Sequence, residues 1–214
     1  MSDFSAGLFA LSENKGEVYP FLVEGELLIQ YNEQWVGKLS AMDTDHDFQP
    51  QTIALSKEVP LLYIMNAEDY GFLMQILHDG VIKFNLNIPY NAEADLAHEI
   101  GNELFGEEWF LDEGNVQEYY RQANEEAAKR LEAQGVPGSY FAGINSESLE
   151  VFQLFGFNEE ILQKIRKILT AENFTQGSHE MVSTLLDNLG LTDFSFVAHN
   201  YVSYGDDRFT ILNA

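Results

Sequence analysis

Along the first 90 residues, short runs of aromatic and branched side chains alternate with turn pairs, the signature of closely spaced strands. Val18 to Val23 and Glu26 to Tyr31 flank Glu24-Gly25, and Asn32-Glu33 separates the second run from Trp35 to Leu39, so a meander is predicted. The clearest hairpin joins Gly71–His78 to Val81–Ile88 through Asp79-Gly80, a pair that tolerates the positive φ of a type I′ turn. On its second strand Ile82, Phe84, Leu86 and Ile88 share one face, and Lys83, Asn85 and Asn87 share the other. That alternation predicts an antiparallel sheet covered on one side and wet on the other, unlike the continuous apolar strands of a parallel nucleotide-binding sheet.

After Pro89 the apolar period lengthens from two to about 3.6 residues. A helix from Ala92 to Phe105 carries Leu96, Ile100 and Leu104 on one stripe and stops at Gly106. A longer one, Asn115 to Gln134, places Val116, Tyr120, Ala123, Ala127 and Leu131 on a narrow face and ends before Gly135 and Pro137. Asn158 opens a helix bearing Ile161, Ile165 and Ile168. Another helix runs from Ser178 to Leu189 and stops at Gly190. The chain then returns to strand-like runs at Phe194–Val202 and Arg208–Leu212.

The expected fold class is therefore α+β: an antiparallel β-meander sheet in the N-terminal half and a helical C-terminal half with a final β-ribbon. That ribbon either stands alone or, as the preferred arrangement, returns to the N-terminal sheet, making residues 1–214 one domain. The alternative division is a sheet-rich domain over 1–112 and a helix-rich domain over 113–214.

Composition then narrows function. Leu, Ile, Val and Phe supply 64 of 214 residues, so the chain can build a core despite 35 acidic and only 11 basic side chains and a net charge of −24. Such acidity opposes nucleic-acid phosphates and anionic lipid, so neither direct nucleic-acid nor membrane binding is expected. Without cysteine, disulfides, thiolate metal sites and cysteine nucleophiles are excluded, and a reducing compartment fits. The N-terminus lacks a basic start before its apolar residues, and no 18 apolar residues run without a charge. A soluble cytoplasmic protein of bacterial type is expected.

The chemical motifs are partial. Asp43, Asp45 and Asp47 alternate like the opening of a calcium loop, but an EF-hand places glycine sixth and glutamate twelfth, where this chain has Phe48 and Ala54. They are a weak candidate for an irregular cation site. His98-Glu99 and His179-Glu180 lack the second histidine of a zincin, since Asn102 and Ser183 stand four residues on. No nucleophile elbow, P-loop or dinucleotide fingerprint occurs. Glu107-Glu108, Glu159-Glu160 and Asp206-Asp207 resemble glycosidase carboxylates only in being acidic pairs, for sequence neighbours point apart. No cofactor is implied.

The function expected is a non-catalytic protein-binding module with a basic protein partner. Its partner-binding candidates are Asp43, Asp45, Asp47, Glu107, Glu108 and Trp109, because large rings beside carboxylates suit interface anchors. A sharper alternative is an immunity or antitoxin-like inhibitor whose carboxylates imitate phosphates in the cleft of a basic, nucleic-acid-acting enzyme. A second alternative is a small hydrolase using His199 with Asp206 or Asp207 as acid–base groups.

Overall fold

The computed structural model describes residues 4–40, 48–203 and 205–213. Strand β1 (Phe4–Leu11) leads into α1 (Lys15–Val18) and a 3-10 turn over Tyr19–Phe21. The hairpin β2 (Leu27–Gln30) and β3 (Trp35–Leu39) follows, then α2 (Pro50–Leu55) and the three strands β4 (Leu61–Ala67), β5 (Gly71–His78) and β6 (Val81–Pro89). The helical half comprises α3 (Ala92–Phe105), a 3-10 turn over Trp109–Leu111, α4 (Val116–Ala133), α5 (Gly138–Phe141), α6 (Ser146–Leu149) with a 3-10 extension to Phe155, α7 (Glu159–Ile168), α8 (Ala171–Asn188) and α9 (His199–Ser203). A last strand, β7 (Thr210–Ile211), ends the described chain.

Among the described residues the strands form one antiparallel sheet in the order β6-β5-β4-β1-β3-β2-β7. The expected α+β class is the observed one, with the sheet mostly N-terminal and the helices mostly C-terminal. Asp79 at φ 55° and Gly80 at φ 77° make the left-handed pair that a type I′ hairpin demands. The amide of Asp79 also donates to the Ser56 carbonyl at the end of α2. The late strand returns to the sheet, pairing Ile211 with Ile29 and Thr210 with Gln30.

Three expectations are corrected. Val18–Val23 is not extended: Val18 closes α1 and Tyr19–Phe21 is a 3-10 turn, since Pro20 cannot donate to a ladder but fits a helical first turn. Phe194–Val202 is not a strand either. Asp193 and Phe196 are left-handed at φ 58° and His199–Ser203 is helical; a short run of apolar residues does not by period alone separate strand from helix. Finally, the sheet is wet on one face only at its edge. β6 alternates, whereas β1, β3 and β5 are buried on both faces.

Two cores explain that double burial. On one face Phe9, Trp35, Phe72 and Phe84 pack against Phe152, Ile165, Leu185 and Leu189 from the C-terminal helices. On the other Leu8, Leu28, Val36, Leu61 and Tyr63 meet Val18 from α1 and Leu55 from α2. This second core also holds an ion pair between Lys38 and Glu26, whose second carboxylate oxygen accepts from the Val23 amide. Among the described residues no helix is long and apolar enough to cross a membrane.

Candidate partner-binding surface

Helices α3 and α4, on either side of residue 112, form an antiparallel hairpin with a third, separate core. Glu93 and Asp95 in the first turn of α3 favour its positive helix end, and Gly106 at φ 93° stops it. Asp112 then starts the return: its carboxylate accepts from the Gly114 amide and the Asn115 side chain, and its carbonyl accepts from the Val116 amide. Ala97 and Ile100 of α3 meet Ala123 and Ala127 of α4, small side chains that let the helices approach closely.

The connection between the helices packs onto that hairpin through Trp109, which is 3% exposed. Its ring contacts Tyr120 at 4.5 Å, His98 at 6.0 Å and Phe105 at 6.4 Å between centroids, and Phe105 stacks on Tyr119 at 4.1 Å. The indole lies so close to α3 that a Cβ on Gly101 would stand 2.2 Å from it. The indole Nε1 donates no hydrogen bond among the described residues.

Burying Trp109 leaves its neighbours outside. Leu104, Phe110, Leu111 and Tyr120 are 54%, 41%, 63% and 46% exposed at the tip of the hairpin. Glu107, Glu108 and Glu113, all exposed, bracket Phe110 and Leu111 along the chain, and none takes part in an ion pair among the described residues. The cations of the hairpin are engaged elsewhere: Arg121 grips Glu118 and Glu125, Arg130 bridges Glu103 and Glu126, and Lys129 faces Glu126. Arg121 and Gln122 together hold the exposed Glu118 carboxyl down to about 2. Over residues 92–134, 12 acids stand against 3 bases, so the tip combines apolar surface with uncompensated negative charge.

The remaining predicted sites fall elsewhere. Asp43, Asp45 and Asp47 lie outside the described residues. Of the expected partner-binding group, Glu107 and Glu108 are exposed at the tip, and Trp109 supports the tip from beneath. His199 sits at the start of α9 with Nε2 2.7 Å from the Gly25 carbonyl oxygen. Asp206 is bound to the Arg208 guanidinium, which holds its carboxyl below the usual range, and Asp207 is exposed. Among the described residues, three clefts run along α8, and none of these three side chains lines any of them.

One of those clefts, about 410 Å³, is lined by His179, Asp187 and Asp193 above a floor of Val182, Leu186 and Phe194. Its rim is the segment 189–197, whose carbonyls are held one after another from the sheet side. Trp35 Nε1 donates to Leu189, Asn32 Nδ2 to Gly190, Tyr31 Oη to Thr192, and the two Arg208 Nη groups to Asp193 and Ser195. Burial pushes the Tyr31 phenol above its ordinary range, with Arg208 opposing, so it remains a donor. The second cleft, about 480 Å³, opens at the base of the α3–α4 hairpin. Tyr90 lies between the two clefts, donating to Asn66 Oδ1 and packing on His179 at 4.6 Å.

Among the described residues no three His, Asp or Glu side chains converge in a metal-holding group. The exposed apolar tip was readable only in part from sequence: Leu104 and Tyr120 belong to the helical stripes, but period alone does not tell which end of a stripe is covered. No family model, curated protein or solved structure matches the chain.

Proposed function

We propose that this chain is a soluble, cytoplasmic, non-catalytic binding module that engages a basic amphipathic segment of another protein through the tip of the α3–α4 hairpin. The observation that carries this is the set of four exposed apolar side chains, Leu104, Phe110, Leu111 and Tyr120, framed by Glu107, Glu108 and Glu113. Clustered apolar surface with a charged rim is the anatomy of protein interfaces, where buried rings supply affinity and the rim supplies rate and partner choice. An inhibitor of a basic enzyme is the narrower form of the same idea, its carboxylates occupying a cationic cleft.

The test uses the intact chain and a cationic helical peptide with leucines at i, i+3, i+4 and i+7, followed by tryptophan fluorescence, since Trp109 lies directly beneath the tip. Binding should weaken roughly tenfold or more on Leu111→Asp, the change expected for one anchor worth 1.4 kcal/mol or more. Glu107→Lys with Glu108→Lys should slow association and flatten its salt dependence. Equal affinity of wild type and both variants would sink the proposal.

A further inference from the structure

The cleft at the base of the hairpin has a different chemistry from the tip. Its walls carry three aromatic rings from three parts of the chain: Tyr90 just after β6, Tyr140 of α5 and Phe174 of α8. Tyr140 and Phe174 meet nearly perpendicular, at 6.0 Å and 87°, so their ring planes do not close on each other as a stacked pair. Phe174 is braced from behind by Phe141, 6.2 Å away and 9% exposed. Tyr90 is fixed by its hydroxyl on Asn66 and by the His179 ring. The rings are thus half-buried and held, and they line a cleft of about 480 Å³, within the range of small-molecule sites.

Two carboxylates, Glu93 of α3 and Glu132 of α4, also line this cleft. The hairpin's own cations are occupied by Glu103, Glu118, Glu125 and Glu126, and no ion pair among the described residues uses Glu93 or Glu132. Rings with a negative face and unpaired carboxylates around one cavity oppose an anion and leave a neutral apolar ligand with no partner for the charge. A compact cation with an apolar skin satisfies both features, because it gains from the ring quadrupoles and loses little hydration on entry.

We infer that the cleft binds a quaternary ammonium group, with Tyr90, Tyr140 and Phe174 as the ring walls and Glu93 and Glu132 as the counter-charge. The group occurs on free choline-type metabolites and on trimethylated lysine side chains. The two sources share the chemistry and differ in what is attached to the ammonium group.

Tetramethylammonium chloride titrated into the full chain should shift the backbone amide resonances of residues that line the cleft, and tert-butanol, its neutral analogue of similar bulk, should not at equal concentration. Affinity should fall about tenfold in Tyr140→Leu, matching the upper range of a partly desolvated cation–π contact, and comparably in Glu93→Gln with Glu132→Gln. The glutamates are solvent-exposed, so that double variant keeps the fold and reads charge alone. Choline and a short peptide containing trimethyllysine then separate the sources; tighter binding of either supports the inference. Equal shifts with tert-butanol, no saturable shift in these amides, or unchanged affinity in both variants would overturn it. The Leu111→Asp tip variant should bind tetramethylammonium like wild type, so failure at the tip and failure at this cleft are distinguishable.

Discussion

In the interior of a helix, glycine normally costs about 1 kcal/mol relative to alanine. Gly101 is set in the middle of α3, yet alanine there would place a methyl group 2.2 Å from the Trp109 indole. Overpacking of that severity costs about 1–3 kcal/mol, which exceeds the propensity gain. Gly101→Ala should therefore destabilise the chain by up to about 2 kcal/mol in chemical denaturation and expose Trp109 to quenchers, whereas Gly143→Ala, at a site with open space, should do neither. A stabilised Gly101→Ala variant would refute the tight indole packing. Nothing in the local pattern around Gly101 announces this contact, because its partner arrives from a turn eight residues later. The same holds for Lys38 on β3 and Glu26 just before β2: nothing in the local pattern announces their contact, and the pairing of β2 with β3 brings them together in the interior.

At the scale of elements, the hairpins and long helices were legible because their turns and periods are local. Asp79-Gly80 set one turn, Gly106 one stop and Asn158 one cap, which accepts from the Ile161 amide as its position predicts. The segment 189–202 was not legible, since its shape is imposed by donors from other parts of the chain, Tyr31, Asn32, Trp35 and Arg208. Arg208 is the largest of these, and its anchor is Asp206. The Asp206 carboxyl is held below its unfolded value near 3.9 by that guanidinium, so its stabilising effect is complete above about pH 4 and is lost as pH falls through the folded value. Amide resonances of residues 193–197 should thus begin to move below about pH 4. Arg208→Ala should move them already at pH 7, with global stability changed by no more than about 1 kcal/mol because the pair is partly exposed. If acidification and Arg208→Ala left that segment unmoved, the clamp would have no role in shaping it.

Across the whole molecule, the sequence divides its charge as 20 acids to 4 bases over residues 1–112 and 15 to 7 over residues 113–214. The structure shows why that division points only roughly to a location. It cuts through the α3–α4 hairpin, whose 12 acids and 3 bases form one surface shared by both halves. Repulsion of this strength should be relieved by salt: raising NaCl from 10 to 300 mM shortens the screening length from about 30 Å to about 6 Å. A gain of about 1 kcal/mol, or about 2–4 °C in Tm for a chain of this size, is expected, and a flat or falling Tm would show the charges to be already balanced in the folded state. The two-residue strand β7 has a consequence of another kind. It covers the outer edge of β2, and Asn213 continues the pairing by accepting from the Leu28 amide and donating to the Glu26 carbonyl. During synthesis, the N-terminal strands emerge more than a hundred residues before that cover does. A nascent chain therefore passes through a stage with an open, apolar sheet margin, and this stage, rather than the finished protein, is where mispairing between chains has its opportunity.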